Sequence, residues 1–239
     1  MNKEAILIHG WDPDMYNSKI LSKNVAFAWH HRGEFIKELK TQFNLNFYNL
    51  PGFVGKPEPD AKSWDIEDYA KDLASWVVQK KLKPKVIIGY SFGGAIALIY
   101  KVNYQPKAPI ILISPAIVRQ SSEFSELGRI AGKVLNVDAI KSLYQYLVSK
   151  YYREGTPFIR ASYDMIVRRD LRESLSVLKK KDALFIYGSA DESTPWLMVS
   201  DAVTKAGLKY TLIKGGAHNI GETHPSEITK GILDFMQNR

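Results

Sequence analysis

The chain contains no cysteine among its 239 residues. This absence excludes disulfide bonds, a cysteine nucleophile and a thiolate zinc site. Uninterrupted apolar runs are also short, and none approaches the roughly 20 residues that a membrane-spanning helix needs. The first ten residues, MNKEAILIHG, include no apolar segment long enough for a signal peptide. Together these absences favour a cytoplasmic location.

Acidic residues are scarcer than basic ones, 25 against 33, which gives a formal net charge of +8. The excess is uneven, because residues 119–181 hold 13 basic and 7 acidic residues while the rest holds 20 and 18. A solvated basic surface is the simplest interpretation. The alternative is a basic patch that attracts an anionic substrate or partner. We do not expect nucleic acid, because no recognisable nucleic-acid-binding motif accompanies the charge.

Short apolar segments alternate with helical patterns along most of the chain, which predicts βαβ units, a mostly parallel central sheet and flanking helices. The predicted strands are 5–9, 45–50, 85–89, 109–114, 183–188 and 209–214. Helical patterns cover 33–42, 65–82, the residues after 94, 195–203 and the residues after 224. In the fourth of these helices we expect Thr194 to be the N-cap and Pro195 to lie in the first turn.

Two segments interrupt this alternation. Residues 119–181, hereafter the basic segment, have no clear strand and indicate two to four helices, with candidates at 139–150, 157–168 and 171–179. We therefore predict a helical cap insertion over 119–181 within a core formed by 1–118 and 182–239. If its last helices are continuous, Arg168 and Arg172 share one helix face. Residues 12–28 are also irregular, and their aromatic side chains predict a packed loop.

The most specific motif is G-x-S-x-G, which occurs as Gly89-Tyr90-Ser91-Phe92-Gly93. An apolar strand directly precedes it and an apolar helix directly follows it. Such a turn, a nucleophile elbow, strains its central residue and lifts the serine hydroxyl clear of the sheet. It also places the Phe92 amide at a helix N-terminus, where it stabilises a developing anion. The motif predicts Ser91 as a nucleophile.

A serine nucleophile needs a general base and a carboxylate that orients the base. Among five histidines, His218 directly follows a late strand in a glycine-rich loop, and His224 is its rival. Asp191 follows another strand, with Glu192 as the rival carboxylate. Because the carboxyl ends of parallel strands meet at one edge, we expect Ser91, Asp191 and His218 to lie together there.

Four motifs in this order resemble the α/β-hydrolase fold family: His9-Gly10, GYSFGG, GSAD and GGAH. The resemblance covers essentially the whole chain, and residues 49–53 resemble a further family turn with Asn49 in place of aspartate. It implies an oxyanion hole formed by the backbone amides of Phe92 and Trp11. Many relatives have a second glycine after His-Gly, whereas here Trp11 begins a longer insertion.

The insertion also suggests aromatic residues that contact the substrate. We name Trp11, Tyr90 and Trp29 as pocket candidates, with simple packing of the loop as the alternative. No metal or cofactor is expected, since the sequence contains no P-loop, G-x-G-x-x-G or H-x-x-x-H motif, and the adjacent His30 and His31 are a poor ligand pair.

The resemblance and the predicted site favour a serine hydrolase that cleaves a carboxylic ester of a small molecule through an acyl-enzyme. Related folds use the same residues for C–C bond hydrolysis of the meta-cleavage type and for thioester hydrolysis, so these reactions stay open. A hydrolase-like ligand receptor and a catalytically silent scaffold are further alternatives. The oligomeric state cannot be deduced from the sequence.

Overall fold

The computed structural model describes residues 3–17, 19, 26–118 and 150–238. One six-stranded sheet forms its centre, in the order β2-β1-β3-β4-β5-β6, and every neighbouring pair is parallel. The strands are β1 (Lys3–Ile8), β2 (Phe43–Tyr48), β3 (Val86–Tyr90), β4 (Ile110–Ile113), β5 (Ala183–Gly188) and β6 (Lys209–Ile213). The prediction of a mostly parallel sheet is confirmed.

Helices flank the sheet, and the helix pairs α2–α3 and α1–α8 pack against each other. They are α1 (Gly33–Lys40), α2 (Ile66–Gln79), α3 (Phe92–Tyr104), α4 (Lys150–Arg153), α5 (Pro157–Ile166), α6 (Ser200–Lys205), α7 (Ile220–Thr223) and α8 (Pro225–Gln237). Short 3-10 helices lie at Pro13–Met15, Phe27–Arg32, Arg172–Val177 and Trp196–Met198. Across the described ranges, no helix has both the length and the apolar character required to cross a membrane.

The burial of each strand follows its sequence. Strands β3, β4 and β5 are buried at every position, as expected for continuous apolar runs that are covered on both faces. The edge strand β6 instead alternates between partly buried and exposed residues. The hydrophobic core therefore lies around β1, β3, β4 and β5, and the loops after these central strands rest on a rigid base.

The start of α2 shows how sequence fixes one helix end. Asp65 accepts a hydrogen bond from the Asp68 amide, and the Asp68 side chain accepts one from the Asp65 amide. This reciprocal capping box satisfies two amides that have no partner within the helix. The carboxylates also lie at the positive end of the helix dipole.

The prediction of one continuous helix over 195–203 is wrong. Pro195 is extended, with ψ of 132°, and the chain forms the 3-10 turn Trp196–Met198 before α6 begins at Ser200. Thr194 is not an N-cap, because its hydroxyl is bound to Asp191 and to the Ser114 carbonyl instead.

The basic segment is described from residue 150 onward, so the predicted helix over 139–150 lies outside the described residues except at Lys150. Helix α5 ends at Ile166, and a 3-10 helix replaces the predicted helix over 171–179. The condition for a shared face of Arg168 and Arg172, an unbroken helix, is therefore not met. Between them, Asp170 pairs with Val118 in an isolated antiparallel bridge, which interrupts the helical path. The division into core and cap stays a prediction.

Candidate active site

Ser91 lies at the sharp turn between β3 and α3. Its backbone is strained, with φ of 52° and ψ of −116°, a conformation that costs free energy and persists only where the surroundings enforce it. The flanking glycines are required by space, since a Cβ atom would come within 2.3 Å of backbone at Gly89 and within 2.2 Å at Gly93. The turn thus matches the elbow expected from the sequence.

The structure brings His218 and Asp191 to Ser91. His218 Nε2 lies 3.1 Å from Ser91 Oγ, and His218 Nδ1 lies 2.9 Å from Asp191 Oδ2. Because a carboxylate only accepts, Nδ1 carries the proton, and Nε2 is left to accept from the serine hydroxyl. Asp191 is buried, whereas 30% of the His218 side chain is exposed.

The two rival residues lie elsewhere. His224 separates α7 from α8, and its Nδ1 is 2.7 Å from the Thr223 hydroxyl. Glu192 is exposed, although it follows Asp191 directly. His218 and Asp191 are thus the histidine and the carboxylate that lie beside Ser91, whereas His224 and Glu192 have other surroundings.

Two hydrogen bonds donated by backbone amides join the loops that carry Asp191 and His218. The Ala190 amide donates to the Gly216 carbonyl at 2.8 Å, and the Gly215 amide donates to the Ser189 hydroxyl at 2.8 Å. These bonds extend the β5–β6 pairing beyond the sheet, so the two loops are held in a fixed relation to each other.

Four donors surround the Asp191 carboxylate. The Ser193 and Thr194 amides each donate to Oδ1 at 2.9 Å, and the Thr194 hydroxyl lies 2.9 Å from Oδ2, which His218 also approaches. Burial opposes ionisation of Asp191, but the hydrogen bonds from His218 and Thr194 hold its pKa below the usual value. Asp191 is therefore an ionised acceptor near neutral pH.

The amide of Phe92 opens α3 directly after Ser91, and the first amides of a helix have no acceptor within it. Gly10, the residue before Trp11, lies against the serine turn, because a Cβ atom there would lie 3.2 Å from Ser91 Cβ and 3.8 Å from Ser91 Oγ. Phe92 and Gly10 thus both belong to backbone that borders the serine, and an oxyanion hole formed by the Phe92 and Trp11 amides stays a prediction.

His9 fixes the peptide that carries the Trp11 amide. The Leu50 amide donates to His9 Nε2 at 3.1 Å, so the proton of His9 lies on Nδ1, which donates to the Gly10 carbonyl at 2.8 Å. Burial lowers the pKa of His9 to about 4, so this histidine is neutral near neutral pH. His9 belongs to the His9-Gly10 motif, but the motif does not predict this hydrogen-bonding role.

The pocket candidates are all largely buried. The Trp11 ring packs edge-on against Phe53 and Phe92, with centroids 5.1 and 5.2 Å away, and against Tyr163 of α5 at 5.6 Å. Its indole N–H donates to the Tyr16 hydroxyl at 2.7 Å. Trp11 therefore joins the serine turn to the basic segment, and sequence analysis did not predict the contacts with Tyr16 and Tyr163.

Tyr90 and Trp29 lie beside the histidine loop. The Tyr90 hydroxyl donates to the His218 carbonyl at 2.6 Å and accepts from the Gly221 amide at 3.2 Å. The Trp29 ring stands edge-on to the Tyr90 ring, 6.2 Å away. These contacts place Tyr90 under the backbone of His218, and a role for either residue in substrate binding stays a prediction.

Thr194 is the functional candidate that sequence reasoning missed. Its distance of three residues from Asp191 is a usable signal, because aspartate and threonine side chains often bind backbone groups two or three residues away. Because Pro195 follows Thr194, the sequence pattern instead predicts that the Thr194 hydroxyl caps a helix.

Comparison with known proteins finds sequence relatives and solved structures that are similar to this chain. A protein from Mycoplasma genitalium named "Putative esterase/lipase 2" is 24% identical over 211 residues, which cover 80% of this chain and 78% of the relative. An esterase from Exiguobacterium antarcticum superposes with a TM-score of 0.69 and 16% identity, covering 99% of this chain and 93% of the other.

A meta-cleavage product hydrolase from Pseudomonas fluorescens IP01 also superposes with a TM-score of 0.69, at 13% identity, covering 99% of this chain and 91% of the other. At such identities the two solved structures show a shared fold alone. The sequence model of the alpha/beta hydrolase family matches residues 5–230. With that match over most of its length, the chain belongs to the α/β-hydrolase family.

Proposed function

We propose that the protein is a serine hydrolase that cleaves a carboxylic ester of a small molecule through an acyl-enzyme. The observation that carries the proposal is the line of hydrogen bonds from Ser91 Oγ to His218 Nε2, at 3.1 Å, and from His218 Nδ1 to Asp191 Oδ2, at 2.9 Å. A nucleophile, a base and an orienting carboxylate in contact form the arrangement that acyl transfer needs.

In the first half of the proposed reaction, Ser91 Oγ forms a bond to the ester carbonyl carbon while its proton passes to His218 Nε2. The carbonyl π electrons move to oxygen, and the amides of Phe92 and Trp11 donate to that oxyanion. His218 becomes an imidazolium, which the ionised Asp191 stabilises through Nδ1–H. When the tetrahedral intermediate collapses, His218 returns the proton to the departing alcohol.

The second half repeats these steps with water. His218 Nε2 takes a proton from water as the water oxygen bonds to the acyl carbon, and the proton then passes to Ser91 Oγ as the acyl–serine bond breaks. The products are a carboxylic acid and the free enzyme. No step requires a metal or a redox group.

Ester cleavage is favoured over the alternatives by the relative from Mycoplasma genitalium, which is named "Putative esterase/lipase 2". C–C bond and thioester cleavage would use the same three side chains, and they are therefore tested as separate substrates. A silent scaffold would give no turnover, whereas a receptor that retains hydrolase reactivity would still label and is distinguished by ligand-dependent binding of a partner. A cytoplasmic location stays a prediction.

A panel of p-nitrophenyl esters from acetate to palmitate, with fluorophosphonate labelling, tests the proposal. We expect turnover, a covalent adduct on Ser91 by peptide mass spectrometry, and a loss of about 10³-fold or more in kcat for Ser91→Ala. Ser75→Ala, which changes an exposed serine on α2, is the matched control and should retain wild-type activity. An adduct on another serine, or no turnover of any ester, would contradict the proposal.

A further inference from the structure

We propose that Thr194 is a positioning residue, which holds the Asp191 carboxylate in the orientation that His218 requires. This inference rests on the proposed hydrolase function. Thr194 binds both carboxylate oxygens, since its amide donates to Oδ1 and its hydroxyl lies 2.9 Å from Oδ2. A single residue thereby restricts rotation of the carboxylate about its terminal bond.

The hydroxyl contributes something that the backbone does not. The amides of Ser193 and Thr194 both bind Oδ1, so without the hydroxyl Oδ2 would be held by His218 alone among the described residues. In the proposed reaction the imidazole gains and loses a proton in every cycle. The Thr194 hydroxyl takes no part in that transfer, so it supplies a constant donor to Oδ2 throughout.

The surroundings keep this hydroxyl in place. Thr194 is buried, and its Oγ1 also lies 3.2 Å from the Ser114 carbonyl and 3.3 Å from His218 Nδ1. When the hydroxyl donates to Asp191, a lone pair of Oγ1 is available to His218 Nδ1–H, so the imidazolium proton meets a second acceptor. Burial means that water cannot easily replace these contacts.

The Ser114 backbone is itself rigidly placed. Ser114 is fully buried, its φ is 43°, and its amide donates to the Ile186 carbonyl of β5 at 2.8 Å. The loop that it begins also reaches the nucleophile, since the Ala116 amide donates to the Ser91 carbonyl at 3.0 Å. Thr194 Oγ1 thus lies beside the same loop that supports Ser91, and its single proton goes to Asp191 Oδ2 at 2.9 Å in preference to the Ser114 carbonyl at 3.2 Å.

The test compares Thr194→Ser with Thr194→Ala, which differ only by the hydroxyl, and adds the isosteric Thr194→Val. Turnover of p-nitrophenyl acetate is divided by the fraction of Ser91 labelled at the end point of fluorophosphonate treatment, so unfolded protein does not count. We expect kcat per labelled site to fall about tenfold or more in the alanine and valine variants, the effect of losing a hydrogen bond to a charged group. KM should stay within about twofold, and the serine variant within about threefold of wild-type kcat.

Thr229→Val is the matched control, because it removes a buried threonine hydroxyl on α8 that has no hydrogen-bond partner among the described residues. We expect it to keep wild-type kcat. Equal kcat per labelled site in the serine and alanine variants would overturn the role of the hydroxyl while leaving the hydrolase proposal intact. Wild-type protein that neither labels at Ser91 nor turns over ester would overturn both proposals together.

Discussion

Ser91, Asp191 and His218 come from loops far apart in the chain, and they meet because each loop follows a strand of the same sheet. Ser91 directly follows β3, Asp191 follows β5 by three residues, and His218 follows β6 by five. Since the carboxyl ends of parallel strands lie at one edge of the sheet, the predicted strands place these three residues at the same edge. Their grouping could therefore be predicted from sequence.

The residues that support them were harder to predict. The role of Thr194 depends on a side-chain rotation within one loop, and the contact of Tyr90 with His218 joins residues 128 positions apart. Hydrophobic periodicity reports which face of an element is buried but not where a buried hydroxyl points. Such contacts follow from tertiary packing, which sequence patterns alone do not specify.

Replacement of Asp191 by asparagine tests the proposed acid at the residue scale. The asparagine amide would donate to His218, which favours the tautomer with its proton on Nε2 and leaves no acceptor for the Ser91 hydroxyl. We expect kcat to fall by about 10³-fold or more with the fold retained, as measured by ester turnover and circular dichroism. Glu192→Gln, a neighbouring exposed carboxylate, should change kcat little, and the opposite ranking would reassign the acid.

At the scale of elements, residues 15–17 of the insertion after β1 form one layer with the turn that follows β2. Tyr16 and Phe53 form an antiparallel bridge, the Val54 amide donates to the Met15 carbonyl, and the Asn17 amide donates to the Gly52 carbonyl. The Tyr16 hydroxyl then donates to the Tyr151 carbonyl of α4 at 2.9 Å. Tyr16 thus connects the turn after β2 to the basic segment.

Sequence patterns located elements well but not their ends. Strand β5 was predicted with its observed bounds, whereas β1 and β2 begin two residues earlier than expected. Their first residues include exposed Lys3 and Asn44, which join the sheet through backbone pairing alone. Side-chain hydrophobicity carries no signal for such positions. In the basic segment, α5 ends at Ile166 and Asp170 pairs with the distant Val118, a tertiary contact that the helical pattern does not encode.

Tyr16→Phe tests the layer at this scale. The change removes the acceptor of the buried Trp11 indole N–H and the donor to the Tyr151 carbonyl. Leaving a buried donor unsatisfied costs about 1–3 kcal/mol, so we expect the free energy of unfolding in urea to fall by that amount.

Asp14→Asn is the control, since Asp14 joins the same elements through an exposed ion pair with Lys150 at 2.7 Å. Exposed ion pairs contribute little, and the variant should lie within about 0.5 kcal/mol of wild type. If both variants lowered the free energy of unfolding equally, the hydrogen bonds of the buried Tyr16 hydroxyl would contribute no more than the exposed ion pair.

At the scale of the whole molecule, some arginines of the basic segment form ion pairs with carboxylates. Arg169 pairs with Glu67 and Asp65, and Arg172 pairs with Asp170. Arg169 and Arg172 of the basic segment therefore already have carboxylate partners. This pairing favours the interpretation of the basic segment as a solvated surface.

A buried neutral histidine makes the stability of the whole fold depend on pH. The pKa of His9 is lowered from 6.5 to about 4 in the folded protein. As the pH falls below 6.5 the unfolded chain takes up a proton at His9, while the folded chain does so only near pH 4. The unfolded state therefore binds more protons in this window, and stability decreases as the pH falls through it.

We expect the free energy of unfolding, measured with urea at a series of pH values, to decrease by about 2 kcal/mol between pH 7 and pH 5 through His9. His9→Asn should be less stable at pH 7, because it loses the acceptor for the Leu50 amide, but its stability should depend less on pH over this range. His31→Asn, which replaces an exposed histidine, should keep the wild-type dependence. Parallel pH profiles for wild type and His9→Asn would show that His9 is not the group that couples folding to protonation.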